Sequence, residues 1–597
     1  MRKNFIVRMM CILLVILFTA SVFAGCGTSK DTSQETGSTT SAQAEASTTQ
    51  EVQQPLMEYT VYYSAEGGYS EAQKIAANPN DVVTPYIENK FNIKIKDIQF
   101  TVEGRTDQDF YAMAQAAGTV PDLWVSSQAN CQLMLNLAPD QFADLSGYFA
   151  DLPNFNKYND PAIWPRWAKN GKYYIFPKIQ PNLNNDMFAS NPYLYGNSGW
   201  AMWAREDLLA KTGYKFTPIA ELKKNFTDQG KYPSYEDSKI EPAIDTPEKY
   251  LDFLRKVKAL NLKVGDKSVI PFDSGFWSVF HISAMFDNGH WRIDDSGNVA
   301  GFLGTPGAKP FYKLWSQMYQ EGLVDKDYIT QKDDQLQQKV ASGLVASGLY
   351  IPDTNGARQA NLQRDPAADL RPIQFPKENQ RYGFFDVGGL GFYGVLISKD
   401  FKETERLVKY FDWFLSDEAQ DICAWGPESA GLWEMKDGKK QFKAEVADDI
   451  INNKADGKNA VYYGLFNPTT GAVNYPNKAC LGAPPLSINT QDWRLSYPVK
   501  LDVYDAVTKV FVKNVNMGVD YSGIASYGDG GENVNAVTTY YWNDFLQKDI
   551  ARLLTAKTDA DYDKAWDEIQ AKNLSAGKYN EAVVDMTKWF QEFGAKK

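Results

Sequence analysis

Histidine is almost missing from this 597-residue chain, which has only His281 and His290. Two imidazoles exclude a His-rich metal centre and leave a Ser-His or Cys-His nucleophile little to draw on. Cysteine is scarce too, with five in all. Cys11 and Cys26 belong to an apolar leader and its end, while Cys131, Cys423 and Cys480 stand far apart and form no C-x-x-C pair. The disulfide framework of small secreted domains is therefore absent. Basic charge is short as well: 62 Lys and Arg against 74 Asp and Glu give a net charge of −12. Losing Arg2, Lys3 and Arg8 with the leader makes it −15. Nucleic acid is excluded as a partner, because phosphate neutralisation needs clustered Lys and Arg. No fixed-period repeat is present.

Long apolar runs number one. Residues 9–24 are almost wholly apolar behind a basic start. As a helix they span about 24 Å, short of the roughly 30 Å hydrocarbon core of a bilayer. Small Ala24 and Gly25 close the run, so residues 1–25 are expected to be a secretory signal peptide. Phe23-Ala-Gly-Cys26 resembles the lipobox of bacterial lipoproteins, with Phe where that motif usually has Leu. The resemblance implies that Cys26 is diacylated and becomes the first residue, holding the chain on the outer face of a cell membrane. Residues 27–54 are almost all Ser, Thr, Gln, Ala, Glu and Gly, with one Val and no aromatic residue. Such a stretch cannot bury enough apolar surface to offset the entropy of ordering it. Residues 26–56 read as a lipidated tether, whose coil would reach roughly 30 Å.

What is abundant is aromatic: 14 % of the chain, with 15 Trp and 34 Tyr. Most rings build cores, but a pyranose also packs its C–H face on a ring while Asp, Asn, Gln and Arg take its hydroxyls. About 540 residues follow the tether, enough for two or three cores. YTVYY at 59–63 reads as a strand, 85–91 as a helix leading into the alternating strand NIKIKDIQF, and 109–117 as a helix ended by Gly118. A turn at Pro121 then leads to a strand through Leu123, Trp124 and Val125. Strand–helix–strand–helix–strand is the α/β pattern. Further on, Thr246 and Pro247 open a helix as N-cap and first residue. Residues 490–597 read as mostly helical, with Trp542, Phe545, Trp566 and Trp589 in amphipathic runs.

The stretches GTVPDLWV, FADLSGYF, NGKYYIFP, MWAREDLLAKTGY, TPEKYLDFLRKV, MYQEGLVD and ERLVKYFDWFLSDEAQ occur in this order. Taken together, over about residues 58–420, the chain resembles the extracellular solute-binding lipoproteins (family 1) of carbohydrate ABC importers, in their long Gram-positive form. The resemblance implies a two-lobed α/β protein of the type II periplasmic-binding-protein fold with a central ligand cleft. Residues 57–180 with 394–480 would form one lobe, and 181–393 with 481–597 the other, helical towards its end. Crossings would fall near 177–191, 388–394 and 475–490. An oligosaccharide would sit in the cleft, and hinge closure would couple its capture to docking on ABC permease transmembrane subunits. The protein would act as a monomer, without cofactor, metal ion or chemistry of its own.

Other motifs weigh less. Gly389-Leu-Gly391-Phe-Tyr-Gly394 fits G-x-G-x-x-G but runs into the strand VLIS, whereas a dinucleotide site needs a helix there. Gly426-Pro-Glu-Ser429-Ala-Gly431 approaches a nucleophile elbow with Pro427 in a glycine's place. Asp294-Asp295-Ser296-Gly297 reads as a hairpin turn, lacking the alternating ligands of a calcium loop. Acidic residues could supply a glycosidase pair, but nothing singles one out. The alternatives are a peptide-binding importer lipoprotein and a surface glycosidase. A sugar site is expected on loops at strand exits. Ser126, Ser127 and Gln128 follow the strand of Trp124, which itself reads as core. Trp200 and Trp203 lie on opposite faces near the first crossing, Tyr350 exits the VASGLY strand, and Trp277 follows IPFDSGF. Arg205 and Asp207 read as structural.

Overall fold

The computed structural model describes residues 54–64, 69–101, 105–158, 168–177, 202–229, 233–276, 278–289, 291–294, 296–349, 357–376, 393–452, 459–465, 477–482 and 531–593. The expected signal peptide, Cys26 and most of the expected tether lie outside them. The strands are β1 (Met57–Tyr63), β2 (Ile93–Phe100), β3 (Leu123–Ser127), β4 (Ile175–Pro177), β5 (Met202–Arg205), β6 (Lys263–Val264), β7 (Lys267–Ser268), β8 (Arg292–Ile293), β9 (Val299–Ala300), β10 (Ser347–Leu349), β11 (Leu370–Pro372), β12 (Tyr393–Ile397), β13 (Trp433–Lys436) and β14 (Lys439–Phe442).

Helix ends follow local chemistry. The helix Asp107–Ala117 starts two residues before its sequence reading, because Thr106 and Asp109 cap each other in a reciprocal pair. Gly118, at φ +66°, ends it in a left-handed conformation that costs glycine little. Thr246 accepts from the Lys249 amide at the start of Pro247–Ala259, which buries Tyr250, Leu251, Phe253, Leu254 and Val257.

The first sheet has the order β2-β1-β3-β12-β4. β1 runs parallel to β2 and β3, while β12 is antiparallel to β3 and β4. Period-two alternation divides its side chains between two cores. Tyr59, Val61, Leu123, Val125, Val395 and Ile397 face a large one with Phe411, Trp425 and Cys480. Tyr62, Trp124 and Leu396 face a smaller one with Tyr111, Cys131 and Met134. With both faces covered, β3 is buried at every residue, as in sheets flanked by helices on both sides.

The second sheet repeats this plan. β5 lies between β10 and β11, antiparallel to both. Beyond β10, Ile270 bridges Val345 and Phe272 bridges Val324, both in parallel. The order is thus Val324, Ile270–Phe272, β10, β5, β11, with β5 in the place β12 takes in the first sheet. Met202 and Ala204 face the large second core, which also takes Trp315, Tyr541, Phe545, Trp566 and Trp589. Trp203 faces a smaller cluster. The described residues from 531 on are helical and pack into this second core, with Trp542 only partly buried. The chain passes from the first core to the second between residues 177 and 202, returns between 376 and 393, and leaves again between 482 and 531. Among the described residues no helix is long and apolar enough to cross a membrane.

Candidate functional site

Open α/β sheets bind ligands outside the carboxyl ends of their strands. At that end of the first sheet, β1 runs out through Tyr62 to Ser64 and β3 through Ser126 and Ser127. Asp107, the first residue of its helix, sits among them. Its carboxylate accepts from Tyr62 Oη at 2.7 Å and Ser64 Oγ at 2.9 Å, and Ser126 Oγ donates to its other oxygen. Tyr62 Oη also lies 2.9 Å from Thr101 Oγ1. The helix N-terminus and three hydroxyl donors surround the Asp107 carboxylate. Burial, with Asp107 alongside, pushes the Tyr62 phenol far up. Ser127 Oγ accepts from the Asn130 amide at 3.3 Å and caps the helix Gln128–Leu137. Ser126 and Ser127 are therefore adjacent at one sheet end, both buried and both already paired.

The matching end of the second sheet carries Asp273 and Ser274 after Phe272, and Ser347 to Leu349 in β10. Ser347 Oγ donates to Trp203 O at 2.5 Å and meets Tyr250 Oη at 2.8 Å. Asp273 accepts from Gln331 Nε2 at 2.5 Å, with Lys339 Nζ 3.7 Å from its second oxygen. Lys339 pairs with Asp325 and donates to Gln331 Oε1 at 2.7 Å. Burial, then the neighbouring Asp325 charge, push the Asp273 carboxyl up to about 8. Asp325 goes the other way: burial opposes it, but Lys339 and the Asp327 amide hold it below the usual carboxylate range. Asp273 Oδ2 has no hydrogen-bond donor.

Trp203 is 1 % exposed, packed against Leu336, Val340, Val345, Ala357 and Leu370. A Cβ at Gly348 would come within 2.9 Å of its ring, so the β10 backbone closes over the indole. Trp203 thus offers no open stacking face in this structure. Trp124 is likewise buried, stacked on Tyr62 with ring centroids 3.9 Å apart. The side chain of Gln128 and all of Trp200, Trp277, Tyr350 and Cys26 lie outside the described residues. Arg205 binds Asp207 through two hydrogen bonds of 2.9 Å, and both are buried. A cavity of about 250 Å³ opens beside the carboxyl end of β11, lined by Tyr235, Lys239, Glu241, Ile244, Ile373 and Gln374.

The side chains that organise these ends, Ser64, Asp107, Asp273, Asp325, Gln331 and Lys339, were not singled out by the sequence. The available signals were a carboxylate just after the Thr106 cap and another just after the apolar Ile270–Phe272 stretch. Ser429 is exposed in the short turn Glu428–Ala430, while His281 is half-buried on the helix Ser278–Ile282, where burial lowers its imidazole to about 4. No Ser-His unit can form from that pair. Asp294 Oδ1 accepts from the Ser296 and Asn298 amides at 2.9 and 2.8 Å, tying the β8–β9 hairpin turn. Among the described residues, no three His, Cys, Asp or Glu converge on a possible metal position.

No family model and no curated protein matches this sequence. Solved structures do. The alginate-binding protein AlgQ2 is 16 % identical with a TM-score of 0.57, over 90 % of this chain and 98 % of its own. The S. pneumoniae ABC-transporter substrate-binding protein FusA in complex with kestose is 14 % identical with a TM-score of 0.55, over 91 % and 100 %. An HMO-binding, ABC-transporter-associated solute-binding protein from Bifidobacterium longum infantis gives 14 %, 0.55, 91 % and 100 %. Such identities speak for the fold. The chain has the two-lobed α/β fold of the ABC-transporter solute-binding proteins.

Proposed function

We propose that this protein is a lipid-anchored extracellular receptor that captures an oligosaccharide between its lobes and delivers it to an ABC permease. The observation that carries the reading is the shared fold over nine-tenths of the chain with proteins named for alginate, kestose and HMO binding. The repeated sheet order supports it, because each lobe offers one row of carboxyl ends to a common ligand. Trp200, Trp277 and Tyr350 remain the proposed stacking rings, while the hydroxyls of Ser64, Ser126 and Ser127 are already committed to protein partners. Cys26 and the tether place the receptor on the outer face of the membrane as a monomer. It carries out no reaction.

Titration of the full-length protein against panels of oligosaccharides and peptides tests this. Saturable binding of a glycan, recovered intact, is expected. Recovery of cleaved sugar overturns the receptor reading in favour of a glycosidase, and binding of peptides alone overturns the ligand class. A Cys26→Ser variant is expected to leave the membrane fraction.

A further inference from the structure

The cavity of about 250 Å³ beside β11 has a place in the sheet that backbone hydrogen bonds fix. Leu349, the last residue of β10, pairs with Met202, and the Ile373 amide donates to Met202 O at 2.8 Å. The carboxyl ends of β10 and β11 therefore lie at the same end of the second sheet, with β11 at its edge. Gln374, one residue beyond Ile373, lines the cavity. The cavity thus opens at the outer end of the row of strand exits that includes Leu349.

Its floor is apolar and its rim polar. Ile240, Ile244 and Ile373 line it as buried members of the second core. At the rim Tyr235 is 39 % exposed, and its hydroxyl donates to Gln374 Oε1 at 3.0 Å. Lys239 lies between two carboxylates, 3.0 Å from Glu236 and 2.8 Å from Glu241. With one positive and two negative charges around it, the rim does not favour an anionic ligand. The wall is held at both ends. Arg371, buried in β11, donates to Ser238 O at 2.6 Å, and Lys215 and Glu241 exchange backbone hydrogen bonds of 2.8 and 2.9 Å. A wall already in place lowers the ordering cost of binding.

A pyranose has the same two-sided character, with C–H faces that pack on a ring and hydroxyls that need amide or carboxylate partners. Volume decides how much of a ligand fits. About 250 Å³ is less than the roughly 300–1,000 Å³ that holds a whole drug-sized ligand, so the cavity takes one end of a longer chain. We propose that it is a subsite for the terminal neutral sugar residue of the captured oligosaccharide, packed against the Tyr235 ring, with Gln374 and Glu241 taking its hydroxyls. The proposal rests on the receptor reading above. It adds that the glycan is uncharged at this end and runs along the sheet ends as far as β11. Such a subsite selects for chain length, because a glycan long enough to reach it gains the contact and a shorter one does not.

Titration of the full-length protein with neutral malto-, cello-, manno-, galacto- and fructo-oligosaccharides, each from disaccharide to hexasaccharide, tests this. Uronate oligomers and peptides are the further arms. Wild-type affinity is expected to step up at one chain length in a neutral series. Tyr235→Ala should remove that step, and so should Ala243→Trp, which fills the cavity from an exposed position in its lining. Each should weaken binding of the long glycan roughly threefold to tenfold. Binding of the shorter members and the melting temperature should stay as in the wild type, and if one variant melts lower the other decides. Unweakened binding of the long glycan by the variants overturns the subsite. An equal loss for short and long members overturns it too, as does a wild-type affinity that ignores length. Binding of uronate oligomers alone overturns the neutral class and leaves the receptor reading standing, whereas binding of peptides alone, or of nothing, overturns both.

Discussion

The carboxyl ends of the two sheets share one strand order and differ in how they hold an aspartate. In the first lobe, Asp107 has a helix N-terminus behind it and accepts from Tyr62, Ser64 and Ser126. In the second, Asp273 has one amide donor, an ammonium 3.7 Å away and the charge of Asp325 beside it. The same acid is thus a satisfied anchor in one lobe and a proton-holding group in the other. For Asp273, burial is the first cause of the raised carboxyl and the Asp325 charge the second.

Three changes would break or sharpen that contrast. The largest effect is expected from Trp203→Ala, which empties the core that β10 closes over and should cost about 3–5 kcal/mol. The loss should fall on the second lobe, with hydrogen exchange in β1 and β3 unchanged. Equal loosening of both lobes would show that the cores are not independent. Next comes Asp107→Ala, which strands three buried hydroxyls in the first lobe and should cost about 2–4 kcal/mol by denaturant melting. A loss under about 0.5 kcal/mol would contradict its place as the anchor.

The smallest is a pH effect. The folded Asp273 carboxyl titrates at about 8, and the unfolded one near 4. Between these values the folded state keeps a proton that the unfolded state releases, so this group's contribution is fully present below about pH 4 and is lost as pH rises towards 8. Asp325, held low, contributes stability above the usual carboxylate range and loses it on acidification. Asp273→Asn should therefore flatten the stability–pH curve between about pH 5 and 8 by on the order of 2 kcal/mol. An unchanged slope in the Asp273 variant would assign the proton to another group.

The α/β class was legible in the sequence because each element carries its own punctuation, such as Thr246-Pro247 opening a helix and Gly118 closing one. Period-two alternation also separated Met202 from Trp203. Alternation names a face without saying what covers it, so the burial of Trp203 under Gly348 stayed out of reach. The place of β12 between β3 and β4 was equally hidden, since its partners lie more than 200 positions earlier in the chain. Ser126 and Ser127 were found as strand-exit hydroxyls, but not the commitment of Ser126 to Asp107, on a helix earlier in the chain, nor the cap that Ser127 makes on the helix that follows it.

The central claim is that one ligand is held by the carboxyl ends of both sheets. Hydrogen exchange of the full-length protein, with and without a saturating oligosaccharide found by the panel titration, tests it most directly. The account predicts added protection at residues 124–130 and 345–350 together, with the outer ends of both sheets unchanged. Protection confined to one of these two stretches, or to neither, would contradict it.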